Sequence, residues 1–557
     1  MKKTTRIISA IMATACALSG FAACGGAGGG NSTSENKKPA GATADQTLEI
    51  FITNAGYGME WLNESIDAFK QEEWVKTKYP NLYIPTPKSN SLSQPFEDLT
   101  NTEYVNDIVF ACGAPGTFLG TKLKNGDSMF EDLTSLYQET KIPGEDQTMA
   151  EKMSDDVYKA QAVEMADGSV KYYGVPWVRG TMGIFYNQTK LDKLMGQTDY
   201  PTPRTTDEFV ALAKTLSQKL GDTDAPFIFD IKGVYWDTPV TVWWAQYEGI
   251  EEYENYWYGV SDGEYSSNIF KQQGRLEALK VEESLIGPNT ATDSKGKPKN
   301  MNHIDGATGT FMQIQTKFMM GTAGVFMPNG DWLANEMKSV KTTQEIVLMK
   351  NPVVSSIVNK CTSVKTDDQL KAVVDYVDQN KTFDEAKTAY KTATGADLTQ
   401  ADYEFIYSAR NMKTRMSGHE AFIPSYSNAK GLAKDFLLFL ASNKGLDVLM
   451  ANGRGYVSAY DYEVSAEKLA TFSPIQQAHH QYIKTAVELP AYTSYKLSYY
   501  GGLKPWGQVM STAVSFASQN AADRLSAQQI YDNVIKYYTD SDGAEFDLVL
   551  QKAGIKK

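Results

Sequence analysis

The sequence predicts a mixed α/β protein built from at least two packed lobes. Short apolar strands alternate with amphipathic helices along most of the chain, the pattern of a largely parallel sheet covered by helices. At 557 residues the chain is too long for a single hydrophobic core, which rarely grows past about 250–300 residues. No segment repeats at a period of about 20–50 residues, which excludes a solenoid or propeller.

The elements follow in chain order. Residues 46–53 alternate apolar and polar and open the fold as a strand. After the Gly-flanked loop at 54–58, Leu62, Ile66 and Phe69 share one face of a helix. Residues 82–84 and 107–111 read as further strands, and residues 163–173 as a hairpin turning at Asp167-Gly168, a good type I′ pair. One helix is fully signposted. Pro203 precedes it, Thr205-x-x-Glu208 forms a capping box, Phe209, Leu212, Leu216 and Leu220 make its stripe, and Gly221 stops it. Residues 366–414 are helical and charge-rich, with Leu370, Val373, Val374 and Val377 on one face, and read as a helical insertion. A last apolar helix spans about 428–442 through Leu432, Phe436 and Leu440.

Composition excludes some functions. With 42% hydrophobic and 22% charged residues the chain is neither disordered nor collagen-like. A net charge of −13 removes nucleic acid as a main partner, because phosphate backbones need a basic face. The aromatic content, 11%, suits a core and also a site that stacks on ligand rings.

The N-terminus decides the expected compartment. Lys2, Lys3 and Arg6 precede an uncharged apolar stretch at 7–23, short for a membrane span and of the length of a secretory leader. It ends Leu18-Ser19-Gly20-Phe21-Ala22-Ala23-Cys24, which resembles the lipobox of bacterial lipoproteins. Phe21 stands where Leu is usual. The resemblance implies cleavage before Cys24 and diacylation of its thiol; ordinary cleavage after Ala-x-Ala, or a weaker second lipobox at Cys16, is the alternative. Residues 25–47, rich in Gly, Ser and Asn, then form a flexible tether. Loss of the leader takes the formal charge from −13 to −16. Cys112 and Cys361 are too few for a disulfide framework and read as small buried residues.

Enzyme signatures are missing from the sequence. Gly296-Lys297 lacks the rest of a phosphate loop, and neither a Gly-x-Ser-x-Gly elbow nor a His-Glu-x-x-His motif occurs. Four histidines leave little room for a metal site, and His479-His480 reads as a surface pair. Asp540-Ser541-Asp542-Gly543 has its Gly too early for an EF-hand and reads as a solvated turn. No cofactor is expected. A carboxylate pair of the glycosidase kind has no fixed spacing, so that chemistry leaves no sequence mark to search for.

Four stretches carry a family resemblance. They are Asp167 to Trp177 (DGSVKYYGVPW) with Gly183-Ile184-Phe185-Tyr186-Asn187, Pro203-x-Thr205-x-x-Glu208-Phe209, Phe318 to Trp332 (FMMGTAGVFMPNGDW), and Ala433 to Leu440 (AKDFLLFL). In this order the chain resembles bacterial extracellular solute-binding proteins of family 1, the maltose-binding-like receptors of carbohydrate ABC importers, over residues 46–510. The resemblance implies a two-lobed periplasmic-binding-protein-like fold with a hinge and an interlobe ligand cleft. One lobe would take residues 48–178 and 420–457, the other 182–417 and 458–557, with crossings near 177–183, 416–422 and 456–460. Solute would sit between the lobes, and closure around it would dock the receptor on the membrane permease.

A pyranose has an apolar C–H face and a rim of hydroxyls, so its site needs flat aromatics and planar polar groups. The candidates are Trp332 and Asp331 after the Pro328-Asn329-Gly330 turn, Trp177 and Arg179 at the first crossing, and Tyr57 in the first loop at the carboxyl edge of the sheet. Trp236 and Asp237 before a helix near Pro239, His419 at the second crossing, and the late aromatic Trp506 complete the set. Trp243 and Trp244 read as core. The expected protein is a monomeric, lipid-anchored receptor on the outer face of the cell membrane, carrying an oligosaccharide to ABC permease subunits. A peptide or other solute as cargo, and an exported glycan-degrading enzyme, are the rival readings.

Overall fold

The computed structural model describes residues 37–90, 106–112, 129–165, 168–233, 235–288, 291–415, 419–489, 495–507, 511–518 and 520–555. The leader, Cys24 and Asp167 lie outside them, as do the side chain of Cys112 and most of the tether.

Strands in chain order are β1 (Ile50–Thr53), β2 (Lys88–Asn90), β3 (Ile108–Cys112), β4 (Val163–Glu164), β5 (Val170–Lys171), β6 (Gly174–Pro176) and β7 (Thr181–Asn187). They continue with β8 (Val260–Ser261), β9 (Glu264–Tyr265), β10 (Phe326–Gly330), β11 (Ile346–Met349), β12 (Met412–Arg415), β13 (His419–Phe422) and β14 (Val487–Leu489). Five form a first sheet in the order β2-β1-β3-β13-β6. Its β2-β1-β3 half is parallel, as the alternation predicts, but β13 runs antiparallel to both β3 and β6. A second sheet runs β10-β7-β12-β14, with β11 also paired to β7. All three partners of β7 are antiparallel to it. The "largely parallel" expectation therefore holds for half of the first sheet and, in the second, for the β12–β14 pair alone.

Each sheet is buried on both faces, because successive side chains point to opposite sides. In the first, Ile50, Ile52, Ile108, Phe110 and Ala421 face one core, while Phe51, Val109, Ala111 and Phe422 face another. In the second, Ile184, Tyr186, Phe326 and Met412 face the largest core, with Phe185, Met327, Ile346 and Leu348 on the other side. The chain passes from the first sheet to the second between Pro176 and Thr181, and back between Arg415 and His419.

Local signals mostly reach the structure. The Glu60–Gln71 helix buries Leu62, Ile66 and Phe69. The hairpin at 163–173 forms as β4 and β5, with Gly168 at φ +84°. Thr205 caps the Thr206–Lys219 helix by accepting from the Glu208 amide. The capping box is only half made, since the Glu208 carboxylate turns to the Arg204 amide and guanidinium instead. Residues 367–411 form three helices, Asp367–Asp378, Phe383–Thr394 and Gln400–Asn411. Leu370, Val373, Val374 and Val377 are buried. Three expectations fail. Residues 82–84 make one bridge, Tyr83 to Thr47, and the sheet edge is taken by β2 instead. Residues 540–543 are the middle of the Ala527–Lys552 helix, not a turn. His479 and His480 are buried rather than at the surface, because the Pro474–Ile483 helix packs on β11. Cys361 is buried and free. No helix among the described residues is long and apolar enough to cross a membrane.

Candidate functional site

The two lobes meet around the ring of Tyr57. Gly56 and Gly58, both at positive φ, bend the loop after β1 so that Tyr57 leaves the first lobe and points at the second. A Cβ on Gly56 would stand 2.9 Å from the Trp332 side chain, so the approach requires glycine. Tyr456 fixes the loop by donating to the Tyr57 carbonyl at 2.7 Å.

Among the described residues, four rings present their edges or faces to the Tyr57 phenol, all at steep angles. Centroids lie at 4.7 Å for His419, 4.9 Å for Tyr456, 5.5 Å for Trp177 and 6.2 Å for Trp332. Such edge-to-face pairs are favourable beyond the area they bury. Trp177 is backed by Trp61, stacked at 4.1 Å. Trp332 enters from the second lobe on the turn after β10, where Gly330 is needed because its Cβ would overlap the indole.

The polar centre is Asp331. Its Oδ1 accepts from the Tyr57 hydroxyl at 2.6 Å, and its Oδ2 lies 2.9 Å from His479 Nδ1. Burial works against the charged carboxylate, but the His479 ring and the Tyr57 hydroxyl outweigh it and hold Asp331 below the usual carboxylate range. Burial likewise pushes His479 down and His419 down to about 4, so both rings are neutral at neutral pH. Behind this centre, Lys413 on β12 pairs with Glu488 on β14 at 2.6 Å, both almost fully buried. Glu488 also meets Arg179 Nε at 2.9 Å, and Arg179 reaches Asp156 of the first lobe at 2.8 Å. Two further contacts close the rim beside Tyr57: Asn335 donates to the Gly56 carbonyl, and Lys338 pairs with Glu60. Among the described residues no cluster of metal-ligating side chains occurs.

Five of the predicted site residues, Tyr57, Trp177, Asp331, Trp332 and His419, are thus brought together at the junction. Arg179 is there as a strap across the first crossing, with its charge already spent on two carboxylates. Trp236 and Trp506 are elsewhere. Trp236 packs against Phe227, Phe229 and Trp243 in the second lobe's core. Trp506 lies in that same core, with the Arg275 guanidinium 5.5 Å from its ring. Asp237 faces inward from the start of its helix, where burial pushes its carboxyl up to about 8. The buried Glu282 nearby is pushed well above its ordinary range for the same reason. Trp243 and Trp244 are core as expected. Sequence reasoning missed Tyr456, His479, Lys413 and Glu488. Only Tyr456, at the expected third crossing, carried a positional signal.

The fold agrees with comparisons to known proteins. Residues 62–269 match the bacterial extracellular solute-binding protein family. No curated protein matches the sequence. The chain is similar to the apo form of RafE from Streptococcus pneumoniae, at 14% identity over 89% of this chain and 98% of that one, with a TM-score of 0.51. A probable secreted solute-binding lipoprotein from Streptomyces coelicolor matches at 12% identity, over 89% and 99% of the two chains, with a TM-score of 0.53. A chitin oligosaccharide binding protein matches at 15%, over 89% and 99%, again at 0.53. At such identities the likeness to these structures is one of fold. Residues 62–269 thus resemble the bacterial extracellular solute-binding proteins, and the fold of these solved structures is shared over 89% of the chain.

Proposed function

We propose that this protein is the solute receptor of an ABC importer, that its cargo is an oligosaccharide, and that the cargo binds at the junction between the lobes. The carrying observation is that both lobes send aromatic rings to one anionic acceptor: Tyr57, Trp177, His419 and Tyr456 from one side, Trp332 and Asp331 from the other. That combination suits a sugar ring, which offers a C–H face to an indole and hydroxyl donors to a carboxylate. The family is one of binding proteins rather than enzymes, so the work of the site is differential affinity. A solute that touches both lobes stabilises the closed form, and the closed form is what the permease subunits receive. Two relatives support sugar over peptide, since one is described in complex with raffinose and another as binding chitin oligosaccharide. Arg179 acts as hinge packing in this reading, while Trp236, Asp237 and Trp506 shape the second lobe. Acylation of Cys24 would hold the monomer at the outer face of the membrane on its 24–47 tether, two or more acyl chains giving stable anchoring.

The test is thermal melting of the purified protein against mono-, di- and oligosaccharides and peptides, followed by analysis of the recovered ligand. A solute at 100 times its Kd adds about 2.7 kcal/mol to the folded state. A rise with one sugar class, recovered intact, is the expected result. A rise with peptides alone would overturn the cargo, and a flat response across all classes the receptor reading itself.

A further inference from the structure

Residues 235 and 236 pack into different parts of the molecule. The Trp236 indole is fully buried in the second lobe's core, against Phe227, Phe229 and Trp243. Tyr235 is half-buried and packs instead against the cluster that holds the junction rings Tyr57, Trp177 and Trp332. Trp236 thus anchors its neighbour, and the chain on either side is also tied down. Gly233 closes a turn by donating to the Asp230 carbonyl at 3.0 Å, and its own carbonyl accepts from the Ser511 hydroxyl at 3.2 Å. Thr238 meets the Met182 sulfur at 3.6 Å, and Met182 belongs to the same junction cluster. Phe311 lies over Tyr235, with ring centroids 5.5 Å apart and planes within 10°. It opens the Phe311–Met319 helix, where Thr310 and Gln313 complete a capping box that fixes its position. Phe311 is half-buried and joins none of the hydrophobic cores among the described residues. An offset stack of this kind leaves part of each face uncovered. The turn before Tyr235 carries a half-buried Asp230 and an exposed Lys232. Flat apolar faces beside hydrogen-bonding groups of both signs meet the needs of a neutral pyranose.

We propose that Tyr235 and Phe311 form a second aromatic platform beside the junction, which takes a further ring of an oligosaccharide whose leading ring lies at the junction. The proposal rests on the receptor reading and adds the length of the cargo, because the protein then reads more than one sugar ring. A monosaccharide at the junction gains nothing from the platform. A longer sugar gains the stacking surface of Tyr235 as well, so affinity rises with chain length. Phe311 acts behind Tyr235, holding its ring in plane, and Trp236 holds the loop from inside the lobe.

Calorimetry on the full chain tests the platform with the maltose, xylose and N-acetylglucosamine series, each from monosaccharide to pentasaccharide. Wild type should bind the longer members of one series more tightly than its monosaccharide. In Tyr235→Ala the ratio of pentasaccharide to monosaccharide affinity should fall about tenfold, equivalent to about 1.4 kcal/mol. Phe311→Ala should lower the same ratio by a smaller factor, and Tyr235→Phe, which keeps the flat ring, should restore it. Tyr235→Leu keeps an apolar side chain on the cluster and gives the same readout should Tyr235→Ala not fold. An unchanged ratio in the variants that lack the ring overturns the platform and leaves the receptor reading intact. An equal loss for every member of the series would make Tyr235 a support of its loop and overturn the platform too. Should wild type bind no sugar of any series, the cargo reading itself fails and the platform with it.

Discussion

Two groups of buried tryptophans show how one residue type takes two roles. Trp177 and Trp332 meet Tyr57 at the seam between lobes, beside a charged Asp331 with two strong hydrogen-bond partners. Trp236, Trp243, Trp244, Trp257 and Trp506 lie inside one lobe, in a continuous aromatic core. Among the described residues its acids, Asp237 and Glu282, have only Thr512 to set against the cost of burial, and both are driven toward the neutral form. Every ring in both groups is nearly inaccessible, so burial alone does not separate them. What separates them is whether the neighbours belong to one lobe or two, and whether the local carboxylate is kept charged.

That contrast can be broken by substitution. The largest effect is expected in the single-lobe core. Trp236→Ala should cost about 3–5 kcal/mol in denaturant unfolding, while the fraction that remains folded binds solute as wild type does. Trp332→Leu should be milder for the fold, about 1–3 kcal/mol, since an apolar side chain stays in place and only the aromatic pairing disappears. The same change should weaken solute binding at least tenfold in calorimetry. If Trp236→Ala instead abolished binding in folded protein, the division between core and junction would be wrong.

The acids and histidines give the two regions opposite pH responses. Asp237, raised to about 8 in the fold, contributes stability that is fully present below about 4 and is lost as pH rises through about 8. His419 and His480 are both pushed down to about 4 by burial. The unfolded chain therefore takes up protons that the fold refuses, and stability is lost as pH falls from about 6.5 to about 4. Melting temperature followed across pH 4–8 should fall less steeply on the alkaline side in Asp237→Asn. It should fall less steeply on the acid side in His480→Gln. The smallest effect is expected at the rim. The Lys338–Glu60 pair is more than half exposed on both partners, so Lys338→Ala should change unfolding by no more than about 0.5 kcal/mol.

The legible parts of the site were those where chain direction changes. Tyr57 sits in a glycine-flanked loop after a strand, and Trp177 and His419 flank points where the chain leaves one sheet for the other. Asp331 and Trp332 follow Pro328-Asn329-Gly330, which the sequence reads as a turn but the structure pairs with β7 as the end of β10, the turn coming one residue later. His479 was illegible, because an amphipathic helix with two adjacent polar residues reads as solvent-facing until a second element covers it. Lys413 and Glu488 were illegible for a related reason. A buried ion pair between β12 and β14 is separated by 75 residues along the chain and has no spacing rule. Trp236 and Trp506 were placed by composition and family likeness, which report that an aromatic is present and not which side of a lobe it faces.

The sequence by itself determined the α/β class, most helices and their caps, the absence of known catalytic motifs and the family resemblance over residues 62–269. Those properties are local, set by periodicity, capping chemistry and short motifs. Tertiary structure decided the mixed direction of both sheets, which aromatics face the junction, and the meeting of Tyr57 with Asp331 across 274 positions. Hydrogen bonds and ring contacts between lobes depend on how two separately folded cores are set against each other, and no local pattern of residues encodes that distance.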